Sequence, residues 1–204
     1  MKPFVTATGA AAPLLQANID TDVVIRIERL TGGADLGHYA LEAMRYLGDG
    51  SPNPNCVLNE PRFRNAPILL AGRNFGCGSS REGAVTALIA MGVRCVIAPS
   101  FGDIFHANCF RNGLLPVELP EGAIQRLAAQ SRAGDFTVDL TRQVVVAPSR
   151  EITTFSIDAL QRKALLEGLD EIGLTLKSAE EISAWQNADR MSRPWVWQTE
   201  KVRL

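Results

Sequence analysis

The sequence predicts an α/β fold in a single domain built around one β-α-β unit. Apolar runs at 68–71 and 93–98, each closed by a glycine or a proline, are typical of buried strands. Between them, residues 82–91 have helix-forming composition and apolar spacing, and Gly92 marks the end of that helix. The 204 residues suffice for one hydrophobic core, and a right-handed crossover is expected.

The segments on either side predict further strands and helices around this unit. Weak alternation over 3–15 predicts the first strands, the polar run Asn18–Asp22 predicts a turn, and 34–47 has helical spacing before a loop at 48–54. Later patterns predict a helix at 101–112, an edge strand at 114–119 containing Pro116, a helix at 121–132, strands at 136–140, 143–147 and 153–157, and helices at 158–168 and 178–190. We place the core at 1–160 and a helical C-terminal extension at 161–204.

Composition argues against several classes of protein. Acidic and basic residues nearly balance, with a net charge of -1, so the sequence has no basic patch for a nucleic acid or an anionic membrane. It also has no run of about eighteen apolar residues and no secretory signal pattern. We therefore expect a soluble, cytoplasmic protein with neither a nucleic-acid nor a membrane partner.

The cysteines and histidines give no metal-site pattern. The four cysteines are widely spaced without a C-x-x-C pair, and the two histidines are far apart: Cys56, Cys77, Cys95, Cys109, His38 and His106. We expect reduced thiols and no metal site in this chain. Cys77 lies in a glycine loop before a helix, where a thiolate would be stabilised, but a small residue filling a tight turn is the favoured interpretation.

The start of the central helix carries the chemistry. Ser79 and Glu82 have the spacing of a capping box, which predicts Ser79 as the N-cap. Gly76 and Gly78 leave the backbone open to a ligand, and a helix N-terminus favours an anion. Arg81 in the first turn is unfavourable unless an anion binds there. We therefore favour an anion site over a cap alone.

The common glycine-rich motifs do not match this segment. A P-loop has a lysine before its serine or threonine, where this chain has Gly78. The third glycine of a dinucleotide fingerprint is replaced by Arg81, and a G-x-S-x-G nucleophile elbow is missing. A carboxylate is thus a better candidate for the anion than a nucleotide.

Three motifs together resemble a known family. They are NFGCGSSRE at 74–82, APSFGDIF at 98–105 and NGLLPV at 112–117, and they are similar to the small subunits of 3-isopropylmalate dehydratase, which resemble the swivelling domain of aconitase. Segments 18–22, 52–59, 155–159 and 168–176 extend the resemblance over nearly the whole chain. It implies an aconitase swivelling-domain-like, three-layer β/β/α fold with a C-terminal helical extension.

The resemblance also implies a reaction and a partner. The chain would form one wall of an active site that a large subunit with a [4Fe-4S] cluster completes, and would bind no cofactor itself. The reaction, in leucine biosynthesis, would dehydrate and rehydrate a malate-type dicarboxylic acid. Ser79 matches the catalytic base, and Ser80 and Arg81 match the residues that hold a substrate carboxylate. Thr21 and Asp22 would either orient these groups or only build their turn.

Two departures from the family keep other functions open. In the family, the loop after residue 25 helps to recognise the variable group of the substrate. Arg26 and Arg29 in this loop suggest a more polar or more acidic group than isopropyl, or they face solvent. Gly83 stands where a histidine is common in the family. A related hydro-lyase acting on dimethylmalate, citraconate or homocitrate is one alternative. A non-catalytic carboxylate-binding, interaction or RNA-binding module belongs to a different class, and the balanced charge together with the presence of Ser79 and Arg81 argues against it.

The last segment lacks the family pattern. Residues 193–197 contain two of the three tryptophans. They could dock on a partner, but packing against the chain's own core is the commoner explanation for such a tail.

Overall fold

The computed structural model of the protein describes residues 1–31 and 35–197. Its strands are β1 Thr6–Gly9, β2 Ala11–Leu14, β3 Ile68–Ala71, β4 Cys95–Ala98, β5 Leu115–Glu118, β6 Phe136–Asp139, β7 Val144–Val146 and β8 Ile152–Thr154. Its α-helices are α1 Thr21–Val24, α2 Leu36–Tyr39, α3 Glu42–Arg45, α4 Glu82–Ala90, α5 Asp103–Asn112, α6 Glu121–Ala129, α7 Ala159–Glu167, α8 Glu171–Leu176 and α9 Ala179–Ser192. Short 3₁₀ turns lie at Ile27–Arg29, Val57–Asn59 and Pro194–Val196.

The strands form two sheets. A parallel sheet has the order β2-β3-β4-β5, and an antiparallel sheet has the order β1-β6-β7-β8. The predicted β-α-β unit is confirmed, because β3 and β4 pair in parallel with Ile68 opposite Cys95. Pro116 lies in β5 at the edge of the parallel sheet, as its missing N–H predicts.

The parallel sheet is covered on both faces. Alternate side chains such as Leu69 and Val96 pack against α4 and α5, while their neighbours Ile68 and Leu70 face the antiparallel sheet and α6. Every residue of β3 and β4 is therefore buried, which explains their continuous apolar runs. The result is the predicted three-layer β/β/α arrangement.

Two local predictions in the first quarter need correction. The polar run 18–22 leads into α1, whose N-cap Asp20 accepts a 2.8 Å hydrogen bond from the Val23 N–H. The helical pattern at 34–47 gives two short helices instead of one, because Leu41 between them has a left-handed backbone at φ 56°. Residue 34 and the glycines at 32–33 lie outside the described residues.

The C-terminal helices largely follow the prediction. Asp158 caps α7, which ends at Gly168, and α9 begins after Ser178. α8 was not predicted from the sequence. α7 packs on the core, where the Leu165 carbonyl accepts a 2.8 Å bond from the Phe4 N–H. Residues 198–204 of the predicted extension lie outside the described part of the chain.

Over the described ranges, no helix combines the length and the apolar composition that crossing a bilayer requires.

Candidate functional site

The candidate site is the loop that connects β3 to α4 at the carboxyl edge of the parallel sheet, where α/β proteins commonly bind ligands. Neighbouring backbone holds this loop on two sides. The Gly76 N–H donates to the Ile19 carbonyl at 2.7 Å, and the Thr21 N–H donates to the Cys77 carbonyl at 2.9 Å. The Phe75 N–H donates to the Ser100 carbonyl at 3.1 Å. The loop is thus fixed by its own chain.

Glycine is required at the tightest point of this loop. Gly76 has φ 72° and Gly78 has φ 94°, conformations that side chains disfavour. A Cβ atom on Gly76 would also overlap the ring of Phe105, which is fully buried beneath it. The predicted role of these glycines in opening the backbone is therefore accompanied by a packing role.

The predicted capping box is wrong. α4 begins at Glu82 with Arg81 at the N-cap position, and no side chain among the described residues caps it. Glu82 instead accepts a 3.0 Å hydrogen bond from Asn112 Nδ2, while the Ser79 carbonyl accepts a 3.0 Å bond from Thr21 Oγ1. These contacts hold Ser79 before the helix, and Ser79 and Ser80 are both exposed.

Arg81 is positioned by the turn before α1. Its guanidinium forms an ion pair with Asp22 and donates to the Ile25 carbonyl at 3.2 Å. The side chain of Arg81 is only 14% exposed, whereas that of Asp22 is 57% exposed. The structure thus brings five predicted site residues together: Thr21, Asp22, Ser79, Ser80 and Arg81.

Arg26 and Arg29 have a partner that sequence reasoning missed. Glu42 lies 3.5 Å from Arg26 Nε and 3.1 Å from Arg29 Nη2. Arg29 also lies over the Tyr39 ring at 4.0 Å, and its hydrogen bond to Glu42 raises its pKa. Neither guanidinium is simply solvated, although Arg26 and Asp22 both line an open cleft of about 440 Å³. Contact of either arginine with a substrate stays a prediction.

The two departures from the family pattern meet in space. A Cβ atom on Gly83 would lie 2.5 Å from Leu30 Cδ2, so the side chain of Leu30 occupies the space that a side chain at 83 would take. Leu30 therefore seats the 26–30 segment on the first turn of α4. The sequence carries no signal for this pairing, since 53 positions separate the two residues.

The cysteines are free thiols in separate environments. Burial raises the pKa of Cys95 and of Cys109, whereas Cys77 is half-buried in the glycine loop. Across 1–31 and 35–197, no group of three or more His, Cys, Asp or Glu side chains could hold a metal ion. The described residues therefore do not fit an iron–sulfur cluster, which needs several thiolates around one centre.

The chain is similar to known proteins over nearly its whole length. A model of the aconitase C-terminal domain matches residues 1–122. A model of the C-terminal domain of 3-isopropylmalate dehydratase small subunits matches residues 171–196, so the expectation that the last segment lacks the family pattern was wrong. A 3-isopropylmalate dehydratase small subunit of Cupriavidus necator is 50% identical over 204 residues, covering 96% of this chain and 98% of its own. The 3-isopropylmalate dehydratase small subunit of Paramagnetospirillum magneticum is 45% identical, covering 96% of this chain and 100% of its own. The crystal structure of a 3-isopropylmalate dehydratase from Methanocaldococcus jannaschii aligns with a TM-score of 0.65 at 25% identity, covering 89% of this chain and 99% of that one.

Proposed function

The chain belongs to the family of 3-isopropylmalate dehydratase small subunits, and on this premise we propose that its 76–81 loop supplies the proton-transferring side of the active site. Members of this family are subunits of a hydro-lyase in leucine biosynthesis that acts with a large subunit. The observation that carries the proposal is the exposed Ser79, which precedes α4 instead of capping it.

Ser79 Oγ, as an alkoxide, takes the proton from the carbon next to a substrate carboxylate while hydroxide leaves the adjacent carbon on the large-subunit side of the site. On rehydration hydroxide adds back and the Ser79 hydroxyl returns the proton. An alkoxide at this oxygen needs nearby positive charge. The N-terminus of α4 and the guanidinium of Arg81 supply it, since both favour the charged form of the oxygen. The hydrogen bonds that clamp the loop hold the backbone that carries Ser79, so little reorganisation of the chain is needed when the proton moves.

Ser80 and Arg81 hold the substrate carboxylate in this proposal, and Asp22 positions Arg81. The ion pair with Asp22 and the bond to the Ile25 carbonyl fix the direction of the guanidinium before substrate arrives. Arg81 retains further N–H groups for a carboxylate, because a guanidinium has five donors. Thr21 supports the same loop through the Ser79 carbonyl.

We assign the [4Fe-4S] cluster of the complex to the large subunit, because the thiols of this chain are dispersed and two of them are buried with raised pKa values. The large subunit then completes the site, and this chain alone should be inactive. Glu42 partly neutralises Arg26 and Arg29, which weakens the argument for an acidic substituent and favours isopropylmalate.

The test is Ser79→Ala in a complex reconstituted anaerobically with the large subunit of the same organism. Turnover of 3-isopropylmalate should fall by roughly 10²–10⁴-fold, the usual contribution of a general base. The thermal unfolding of the chain should be unchanged. Ser149→Ala, at an exposed serine of the β7–β8 connection, is the matched control and should retain full activity. Retained turnover in Ser79→Ala would show that another group moves the proton.

A panel of substrates assayed with the same complex tests which dicarboxylic acid the enzyme prefers. We expect 3-isopropylmalate to be preferred over dimethylmalate, citraconate and homocitrate. Preference for another acid would leave the proton-transfer proposal intact but replace the substrate. Turnover by this chain without the large subunit would contradict the two-subunit proposal.

A further inference from the structure

The C-terminal arm, defined as residues 171–197, is built differently from the rest of the protein. It comprises α8, α9 and the turn Pro194–Val196. α9 has 14 residues, about 21 Å at 1.5 Å per residue, and of its described side chains only Asp189 is buried. A helix of this length is marginal in water when nothing packs on it. Within the described residues, α9 therefore gains little stability from packing on the rest of the protein.

The arm also exposes large apolar side chains. Trp185 is 60% exposed, Trp195 is 67% exposed, and Ile172 is 69% exposed. On α8 Ile172 and Leu176 are four residues apart, and on α9 Ile182 and Trp185 are three apart, so each pair lies on one side of its helix. The exposed large apolar residues of the arm are Ile172, Leu176, Ile182, Trp185, Met191, Trp195 and Val196. Such a concentration is typical of an interaction surface, whereas scattered single apolar residues are not.

The tail of the arm is held in one conformation. Asp189 accepts a 2.7 Å hydrogen bond from Arg193 Nε and a 2.8 Å bond from Trp197 Nε1. The guanidinium of Arg190 lies 4.6 Å from the centre of the Trp197 ring. These contacts fold the tail back on α9 while Trp195 stays outward. A surface that is ordered before binding loses less conformational entropy on association.

Side-chain contacts lead from the start of the arm to the first turn of α4. Arg111 at the end of α5 pairs with Glu171, the first residue of the arm, at 2.9 Å. The neighbouring Asn112 donates a hydrogen bond to Glu82, the first residue of α4 after the catalytic loop. The start of the arm is thus connected, through the end of α5, to the helix that follows the catalytic loop.

We propose that the C-terminal arm is a second docking surface for the cluster-bearing large subunit, which binds across the 76–81 loop and continues onto α8 and α9. This inference rests on the proposed function, since it assumes that the partner approaches Ser79. Trp185 and Trp195 are the anchors, because large aromatic side chains contribute most of the binding free energy at interfaces. Continuity with the catalytic loop selects the large subunit over a second copy of this chain.

The experiment measures the Kd of the full chain for the large subunit of the same organism, anaerobically and by calorimetry. The double variant Trp185→Ala/Trp195→Ala should raise the Kd about tenfold or more. Ile152→Ala is the control outside the arm. Ile152 in β8 is an apolar side chain that is as exposed as Val196 in the arm, at 56% each. This control should bind within about twofold of the native chain. Circular dichroism checks that each variant is folded. Trp185→Phe, which keeps an aromatic ring at this position, should retain most of the affinity of the native chain for the large subunit.

A second measurement is hydrogen exchange of the native complex, in which amides of 171–197 should be protected relative to the free chain. Native-like affinity of the double variant together with unprotected arm amides would overturn the proposal. Dimers of the free chain that the double variant dissociates, with unchanged affinity for the large subunit, would assign the arm to a second copy instead.

The same complexes separate this inference from the proposed function. If Ser79→Ala turns over normally while the arm variant loses affinity, the proton-transfer assignment fails and the docking surface stands. If Ser79→Ala is inactive while the arm variant binds normally, the proton-transfer assignment stands and the docking surface fails. A native chain that neither binds the large subunit nor becomes active with it would overturn both.

Discussion

The β3-α4-β4 unit and the C-terminal arm use apolar residues in opposite ways. In the unit, both strands are buried along their whole length, and the loop between β3 and α4 exposes Gly78, Ser79 and Ser80. In the arm, tryptophan and isoleucine side chains face outward, and the best-buried described side chain is the carboxylate Asp189. The unit thus encloses its own core and presents a reactive loop. The arm lacks a core of its own and presents a surface.

This difference indicates what stabilises each region. Burial against two layers holds the unit, so its geometry is present before any partner binds. The arm is held by its first-turn ion pair to Arg111 and by the contacts of Asp189. Substitutions in the unit should therefore change the stability of the free chain, and substitutions in the arm should change association.

The largest expected effect tests this division directly. Leu70→Ala removes a fully buried side chain from β3 and should lower the free energy of unfolding by about 2–5 kcal/mol. Trp185→Ala removes a larger side chain from α9, yet it should change that free energy by less than about 0.5 kcal/mol, because the indole is already exposed. Urea unfolding of the free chain measures both. Comparable losses would mean that the arm packs on the core in solution.

Much of the fold was predictable from the sequence because local pattern and burial agree. The runs at β3 and β4 are continuous since both faces of their sheet are covered, and Gly92 ends α4 as expected. The segment Ser79–Arg81 was also predicted from its sequence to lie where an anion could bind. The capping role of Ser79 was wrong, because a local spacing rule does not include Asn112, which binds Glu82 from a distant helix.

Other features that the sequence did not predict also depend on contacts between distant segments. Glu42 and the Leu30–Gly83 contact join segments far apart in sequence, so no local pattern reports them. The tail was expected to pack on the core, since buried tryptophan is common. That preference was wrong for Trp195, because Asp189 draws the tail onto α9 instead. α8 escaped detection because six residues are too few to show periodicity.

A smaller effect is expected at the first turn of α4, where Leu30 packs on Gly83. Gly83→Ala should displace the Leu30 side chain and move the 26–30 segment, raising the KM for 3-isopropylmalate about fivefold in the complex. The stability of the free chain should change by no more than about 1 kcal/mol, since alanine favours the helix while the contact is lost. Steady-state kinetics of the reconstituted complex measure the KM and kcat separately.

Leu30→Ala supplies the control for this effect. If Gly83→Ala acts by displacing Leu30, it should have no further effect on KM in the Leu30→Ala background. Additive changes in the double variant would instead mean that residue 83 acts on the substrate or the partner by itself. A fall in kcat without a change in KM would point to the neighbouring catalytic loop.

The smallest expected effect concerns the tail of the arm and depends on pH. The hydrogen bond from Trp197 and the pairing with Arg193 lower the pKa of Asp189 below its ordinary value of 3.8. The stabilisation that this carboxylate provides is therefore present above that value and is lost as the pH falls through the lowered pKa of the folded state. Asp189→Asn should remove the charge at every pH, so the tail amides at 193–197 should exchange faster at pH 7. Acidification should loosen the native tail but change the variant little.

Hydrogen exchange between about pH 7 and pH 3, after correction for the intrinsic rate, measures this effect of Asp189. Glu60→Gln is the control, because Arg132 lowers the pKa of the Glu60 carboxyl in the same way but outside the arm. The global unfolding temperature should stay within about 1 °C of the native value, since the change is local. If the tail amides exchange equally fast in the native chain and in Asp189→Asn at pH 7, Asp189 does not hold Trp197. Other contacts would then have to fix the outward position of Trp195.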